Sequence, residues 1–330
     1  MKKRLLLLLF VCSFITLASC NNKDYQYFSI ATASTGGTYY PIGVGMGNLW
    51  TEELMDQGIR ATGQSSAGSV ENIDLLQKGE AQLAILQGLI GDQAFNGTGI
   101  YEGRAYEDLR SITFLWPNVE HFVLQNSQIE TGTIADIEGK SFSVGPQASG
   151  TEQSTLAIMR GIDLTTADIQ PEYLGYDDTI SAMRDGRLHG GSLPAGVPVT
   201  AITDMYASGV RADVLDVSDE QLESINQSAN VFFRYIIPAG TYPRKEEDIH
   251  TIAQSNFLAT DKEQDEEMVY LLTKTLYENL DFMYEVHSSA REMSLDTALN
   301  GVSVPLHPGA YKYYQEQGVD IPDELRPPEL

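Results

Sequence analysis

The chain contains very little cysteine and only scattered histidine. Of its 330 residues, two are cysteine, Cys12 and Cys20, and five are histidine. A disulfide framework is therefore excluded, and an apolar core must hold the fold. The histidines form no HExxH motif and no other metal-ligand spacing. We therefore expect no metal and no cofactor.

Cationic residues are also scarce. The sequence has 21 Lys and Arg against 46 Asp and Glu, which gives a formal net charge of −25 at pH 7. No segment gathers Lys and Arg into a basic patch. Such a surface repels nucleic acid and anionic lipid, so we expect no nucleic-acid partner.

The sequence motifs of common enzyme classes are missing. The segment QASGTE at 147–152 lacks the GxSxG pattern of a nucleophile elbow, and STGGTYYP at 34–41 lacks the GK[ST] ending of a phosphate-binding loop. We predict that the protein is not an enzyme. An enzyme built on the same fold is the less favoured alternative.

One long apolar run is present, and it stands at the N-terminus. Basic residues at 2–4 precede this run, which ends in the small residues of LASC at 17–20. The pattern resembles a bacterial lipoprotein signal, with a signal peptide at 1–19, an acylated Cys20 and a tether at 20–26. This predicts a periplasmic or extracytoplasmic protein held to the membrane by a lipid anchor. An ordinary secretory signal and a short membrane anchor are the alternatives.

The rest of the chain is globular in composition, with 42% hydrophobic residues overall. Its first part alternates strands and helices, the second helix having Ser69 as its cap and Gly79 as its stop. A βαβαβ order favours a parallel sheet with helices on its faces. The predicted strands of this part are 28–33, 59–66 and 81–87.

The middle of the chain repeats the strand, loop and helix pattern. Ser149 and Glu152 match a capping box, and Asp177 is the predicted cap of the next helix. Periodic helices follow near 267–284 and 311–317. Because no low-complexity linker separates two halves, we predict an α/β fold of two lobes built from crossing segments. Their predicted bounds are 27–116 for the first part of lobe 1, 117–230 for lobe 2, and 231–330 for the return to lobe 1 with the C-terminal helices.

Two loops rich in Gly, Ser and Thr stand where a strand gives way to a helix. They are STGGTYY at 34–40 and GPQASGTE at 145–152, one in each predicted lobe. Helix N-termini carry unpaired N–H groups and a partial positive charge, and glycine lets a ligand approach closely. If the lobes face one another, the loops form a cleft for a small anion such as a carboxylate, with Tyr39 and Tyr40 as an apolar wall. The alternative for each loop is a turn without a ligand.

Several segments together resemble the TAXI family of solute-binding receptors, which serve TRAP (tripartite ATP-independent periplasmic) transporters. The resemblance covers nearly the whole mature chain and rests on segments in the expected order. These are FSIATASTGGTYYPIGVGMGNL, SSAGSVENIDLLQKGEAQLAILQ, NGTG, IEGKSFSVGPQASGTE, AMRDGRLHGG, IIPAGTYP and VPLHPGAYKYYQEQG.

The resemblance implies a two-lobed, type II periplasmic-binding-protein-like fold, each lobe a mainly parallel sheet flanked by helices and joined by a hinge. It also implies that the lobes close over a small organic anion, such as a glutamate-like amino acid, a dicarboxylate or a keto acid. The anion is then delivered to the membrane permease of a TRAP transporter. A binding protein that signals to a membrane receptor is the alternative.

The resemblance also implies ligand-binding roles for individual residues. Gly88 and Leu89 stand where the family usually has serine and aspartate, which weakens any assignment of the particular acid. The implied ligand-binding residues are Thr35, Gly37, Thr38, Tyr39, Ser65, Ser66, Gln87, Glu120, His121, Ser149, Gly150, Thr151, Gly196 and Val197.

Overall fold

The computed structural model describes residues 25–330, which form two mixed β-sheets flanked by helices. The strands are β1 (Gln26–Ala31), β2 (Ile59–Gln64), β3 (Leu83–Gln87), β4 (Leu109–Val119), β5 (Phe122–Gln125), β6 (Ser141–Ser143), β7 (Gln170–Glu172), β8 (Gly190–Ser192), β9 (Ala212–Val214), β10 (Phe233–Ile237) and β11 (Ile249–Asp261). The helices are α1 (Tyr39–Leu54), α2 (Ser69–Gln77), α3 (Gly88–Asn96), α4 (Gly150–Gly161), α5 (Tyr176–Arg184), α6 (Thr200–Ala207), α7 (Asp219–Asn226), α8 (Glu266–Glu278), α9 (Leu280–Val286) and α10 (Pro308–Gln317).

The first sheet has the order β10-β11-β3-β1-β2, with β4 also paired to β11. Strand β1 runs parallel to β2 and β3, whereas β11 runs antiparallel to β3, β4 and β10. The register of β11 sets Asn256 opposite Gln87, the last residue of β3. We call this sheet with its helices the first lobe.

The second sheet has the order β7-β6-β8-β5-β9. Strand β6 is parallel to β7 and β8, and β5 is antiparallel to β8 and β9. We call this sheet with its helices the second lobe. The predicted two-lobed α/β fold is confirmed, but the prediction of a mainly parallel sheet in each lobe is wrong, because both sheets are mixed. Parallel pairs form within the βα segments. Every antiparallel pair includes β5 or β11, which lie near the points where the chain passes from one sheet to the other.

The core of the first lobe shows why these segments fold as they do. Helix α1 buries Ile42, Met46, Leu49 and Trp50 at helical spacing, and the Trp50 indole donates to the carbonyl of Leu272 at 2.9 Å. Full burial of each large apolar side chain stabilises the fold by about 1.5–3 kcal/mol. The helix is thereby fixed on the sheet, and this fixes the position of its first turn.

Two of the predicted helix caps are wrong, and a third is confirmed. Helix α2 begins at Ser69 with Gly68 as its N-cap, and α5 begins at Tyr176 with Gly175 as its N-cap. In both cases the glycine directly before the first helical residue adopts the non-helical conformation that a cap requires. Ser149 does cap α4, since its hydroxyl accepts from the N–H of Glu152 at 2.9 Å. The Glu152 carboxylate accepts from the N–H of Ala148 instead of that of Ser149, so the predicted capping box is only half formed.

Strand β11 was not predicted. Its middle carries Gln254, Ser255 and Asn256, all of them buried, so the apolar pattern that marks a strand is interrupted. In the sheet order the strand lies between β10 and β3, and it also pairs with β4.

Some predictions are not tested by the fold. The signal peptide at 1–19 and Cys20 lie outside the described residues, as does most of the tether at 20–26. The lobe boundaries at 116/117 and 230/231 stay predictions. Within residues 25–330, no helix combines the length and apolar character of a membrane span.

Candidate functional site

A cavity lies between the two lobes, at the place where helices from both sheets begin. The volume that the centre of a water molecule can occupy within the cavity is about 30 Å³. The carboxyl ends of parallel strands meet at one edge of a sheet, where ligands of open α/β folds bind. The residues that line it are Ala33, Ser34, Gly37, Thr38, Tyr39, Ala67, Gly68, Ser69, Gln87, Pro146, Gly150, Thr151, Tyr176 and Pro194.

Four helices contribute residues of their first turn to the lining of this cavity. Residues at the starts of α1, α2, α4 and α5 line it, and the first N–H groups of a helix have no acceptor within that helix. Each start also carries a partial positive charge, so convergent helix starts favour a negatively charged group. Among the described residues, no Lys, Arg or His side chain lines the cavity.

Thr38 connects the two lobes at the cavity wall. Its hydroxyl accepts from the N–H of Gly196 at 3.1 Å and lies 3.3 Å from the carbonyl oxygen of the same residue, to which it can donate. The side chain is almost fully buried. Because Thr38 belongs to the first lobe and Gly196 to the second, this contact depends on the approach of the lobes.

Thr151 and Tyr176 form the opposite wall. The Thr151 hydroxyl lies 2.9 Å from the Tyr176 hydroxyl, which donates to the carbonyl of Pro194 at 2.6 Å. Burial raises the pKa of Tyr176 far above its ordinary value, so this hydroxyl stays neutral. The wall is therefore polar and uncharged.

Gln87 brings an unpaired polar group to the cavity. Its backbone N–H donates to the Ser69 hydroxyl at 3.0 Å, and the residue is 3% exposed. Its side-chain Oε1 is buried and has no hydrogen-bond partner among the described residues. An ideal Cβ placed on Gly150 would lie 2.6 Å from this oxygen, so Oε1 sits against the start of α4. Buried unpaired polar atoms are uncommon in native proteins, and one in a cavity wall indicates a place for a ligand or a water.

Tyr39 separates the cavity from a buried polar cluster on the crossing strands. Its ring packs edge-on against Trp116 at 5.7 Å, and its hydroxyl donates to Asn256 Oδ1 at 2.5 Å. Asn256 in turn donates to Asn118 Oδ1 at 3.3 Å. These bonds fix the Tyr39 ring as a rigid part of the wall.

Glu120 and His121 are fully buried beside this cluster and do not line the cavity. Glu120 Oε1 accepts from Gln254 at 3.4 Å, while its Oε2 has no partner, and burial raises the pKa of Glu120 to about 8. The His121 ring contacts the Val119 carbonyl oxygen at 2.9 Å and the Tyr242 hydroxyl at 2.8 Å, and burial lowers its pKa to about 4. Burial therefore favours the neutral form of both side chains, and both belong to the joint between the lobes.

The structure brings together some of the sequence-predicted residues and separates others. Gly37, Thr38, Tyr39, Gln87, Gly150 and Thr151 line the cavity. Ser149 caps α4 and Gly196 meets Thr38, so both lie directly behind the lining.

The remaining predicted residues lie away from the lining. Thr35 and Ser65 are exposed, and the Ser66 hydroxyl bonds to Thr32 and Asn72 within the first lobe. The Val197 carbonyl accepts from the Ser289 hydroxyl at 3.1 Å.

Sequence reasoning missed several lining residues, of which Tyr176 is the most informative. Tyr176 follows a glycine at a strand-to-helix junction, as do Ser69 and Thr151. This shared position, directly after a glycine at a strand-to-helix junction, is the sequence feature that could have identified Tyr176 as a lining residue. The missed residues are Ala33, Ser34, Ala67, Gly68, Ser69, Pro146, Tyr176 and Pro194.

No group of three or more His, Cys, Asp or Glu side chains within residues 25–330 is arranged to hold a metal ion. The chemistry available at the cavity is therefore that of backbone N–H groups, hydroxyls and one amide. These groups bind and orient a ligand by hydrogen bonds.

Solved structures with a similar fold share little sequence identity with this chain. A protein of Bordetella bronchiseptica RB50 is 12% identical with a TM-score of 0.52, and the match covers 91% of each chain. PhnD1 from Prochlorococcus marinus (MIT 9301), solved in complex with methylphosphonate, is 11% identical with a TM-score of 0.50, covering 82% of this chain and 91% of the other. The alkanesulfonate-binding protein SsuA from Xanthomonas axonopodis pv. citri, bound to MOPS, is 13% identical with a TM-score of 0.48, covering 88% and 90%.

The sequence itself gives the family. Residues 30–318 match the NMT1-like family, a span that includes every residue of the cavity lining and all the strands except the first four residues of β1. The chain belongs to the NMT1-like family.

Proposed function

We propose that this protein is an extracytoplasmic solute-binding protein that captures a small organic anion between its two lobes. The observation that carries the proposal is the convergence of four helix starts on one cavity between the lobes, beside the unpaired side-chain Oε1 of Gln87. Hydrogen bonds from neutral donors to a charged group contribute about 1.5–3 kcal/mol each. At physiological salt the field of the acidic surface is screened within about 8 Å, so these local donors decide what binds.

Binding proceeds by closure of the lobes. Thr38 meets Gly196 across the cleft, and the N–H of Glu71 at the start of α2 donates to the Ala148 carbonyl at 3.1 Å. Both contacts need the lobes together, and a ligand that bridges them favours the same state. The protein is a binding module and carries out no reaction at this site. The complex of the structurally similar PhnD1 with methylphosphonate, a small anion, is in keeping with this proposal.

The identity of the ligand and the membrane partner are proposed from the TAXI resemblance, and the anchor is proposed from the resemblance to a lipoprotein signal. A glutamate-like amino acid, a dicarboxylate or a keto acid is bound and passed to the membrane permease of a TRAP transporter, with the protein anchored through a lipid on Cys20. Reconstitution of the permease with and without the purified protein tests this delivery. Cys20→Ser tests the anchor, since the variant should leave the membrane fraction.

A thermal-shift screen of small organic acids tests the binding itself. A ligand at a thousandfold excess over its dissociation constant adds about 4 kcal/mol to the free energy of unfolding. The matched pair is Thr38→Val, at the cavity wall, and Thr35→Val, three residues away and exposed. We expect the first to weaken binding and the second to retain it. Equal loss in both, or no stabilisation by any acid, would remove the proposal.

A further inference from the structure

The charges around the cavity indicate how much negative charge it can hold. Helices α2, α4 and α5 each carry a carboxylate in the first turn, whereas α1 carries none. An acidic residue in that position offsets the positive end of its own helix. Three of the four convergent helix starts are therefore already compensated.

These carboxylates are held close to the cavity rim. Glu71 accepts from the N–H of Ala67 at 2.6 Å, and Glu152 accepts from the N–H of Ala148 at 2.9 Å. Asp177 packs against Gly36, where an ideal Cβ would lie 2.6 Å from its Oδ1. The rim is negatively charged, and no cationic side chain in the described lining balances it.

Helix α1 provides the uncompensated start. No side chain caps it, its first turn contains no acidic residue, and Thr38 and Tyr39 at its start both line the cavity. Helix α3 also lacks an acidic first turn, but its Leu89 N–H is already taken by Gln254 Oε1 at 3.0 Å. One carboxylate can therefore be placed at α1, and a second would face the acidic rim.

Gln87 places a second requirement on the ligand. Its buried Oε1 is an acceptor without a partner, so it calls for a donor on the ligand. The cavity is small, and a donor close to the carboxylate would be needed to reach both α1 and Gln87.

We infer that the ligand is a compact monocarboxylate with a hydroxyl or amino donor on the carbon next to the carboxylate, rather than a dicarboxylate. This inference rests on the proposed capture of a small organic anion between the lobes. It replaces the glutamate-like amino acid, dicarboxylate or keto acid that the TAXI resemblance implies with a smaller, singly charged acid. The carboxylate lies at the start of α1, and the donor lies at Gln87 Oε1. The acidic rim discriminates against a second negative charge.

Isothermal titration of the mature protein with matched acids tests the inference. The probes are lactate and alanine, which carry the donor, propionate, which lacks it, and malate and glutamate, which add a second carboxylate. We expect lactate or alanine to bind at least about tenfold more tightly than propionate and than either diacid. The comparison of lactate with alanine identifies the donor as hydroxyl or amino.

A variant pair checks the role of Gln87. Gln87→Leu keeps the side-chain volume but removes the acceptor, so it should abolish the preference for lactate or alanine over propionate. Gln93→Leu, on α3 and outside the cavity lining, is the control and should keep that preference.

The results that would contradict the inference differ from those that would contradict the proposed function. Tight binding of malate or glutamate would overturn the inference and leave the proposed function standing. Equal affinity for lactate, alanine and propionate would also overturn it, because the donor would then be irrelevant. The absence of binding by any acid, charged once or twice, would contradict the proposed function itself.

Discussion

Replacement of the buried Glu120 by glutamine should make the stability of the protein less dependent on pH. Glu120 is fully buried, and burial raises its pKa from 4.5 to about 8. Between these two values the native state keeps a proton that the unfolded state has lost. Stability therefore falls as the pH rises through this range, by about 1.4 kcal/mol for each pH unit.

The size of the effect follows from the same two pKa values. Below pH 4.5 the carboxyl is protonated in both states and no penalty exists, whereas above pH 8 the full penalty of about 5 kcal/mol is present. Glutamine has the same shape and no charge, and its carbonyl can still accept from Gln254. Glu120→Gln should thus match the wild type near pH 5 and be several kcal/mol more stable at pH 9.

The shifted pKa of His121 changes stability with pH in the opposite direction, so its effect must be separated from that of Glu120. Burial lowers its pKa from 6.5 to about 4, so its contribution to stability is lost as the pH falls through that range. The imidazole is present in both proteins, so its effect cancels in their difference.

Urea unfolding of the two proteins at pH 5, 7 and 9 measures the difference. Glu53→Gln, an exposed position on α1, controls for the removal of one negative charge from an acidic chain. A difference between Glu120→Gln and wild type that stays constant from pH 5 to pH 9 would refute the reasoning, because Glu120 would then be ionised in the native state throughout.

Three further changes test other parts of the structure. Gly150→Ala adds a Cβ that would lie 2.6 Å from Gln87 Oε1, so calorimetry should show at least about tenfold weaker ligand binding with an unchanged fold by circular dichroism. Ala148→Gly should raise the free energy of unfolding by about 0.5–1 kcal/mol in urea, because Ala148 has a left-handed φ of 58° that glycine adopts more easily. Asn72→Leu should lower it by about 3 kcal/mol, because the buried amide donates to the Thr32 carbonyl at 2.7 Å and accepts from the Ser66 hydroxyl at 2.6 Å; an unchanged urea midpoint would contradict this.

Local patterns predicted those elements in which apolar periodicity was unbroken. Helix α1 and strands β1 and β3 carry regular or continuous apolar residues, and each forms where its pattern indicated. Strand β11 escaped prediction because Gln254 and Asn256 occupy buried positions within it. Those polar residues are stable there only because partners such as Tyr39, more than 200 residues away in the chain, hold them.

Only part of the candidate site was predicted, because some of its residues have a local sequence signature and others depend on contacts made in the folded chain. The glycine-rich loops before α1 and α4 have a local signature, and residues from both reach the cavity. Thr35 shares the first loop but points to solvent, and neighbouring positions in a loop cannot be told apart by composition. Tyr176 was missed because its role depends on Thr151 and Pro194, which the fold of the second lobe brings to it.

The sequence by itself determined the α/β class, the helix starts rich in Gly, Ser and Thr, and the acidic, cysteine-poor character of the chain, because these depend on residues near one another along the chain. Only the tertiary structure decided that Thr38 meets Gly196, that Gln87 keeps an unpaired oxygen beside Gly150, and that Glu120 is buried without a counter-charge. Those features arise when two sheets pack with their helix starts facing each other. The energy of a buried polar group depends on what surrounds it in space, and that surrounding is assembled from distant parts of the chain.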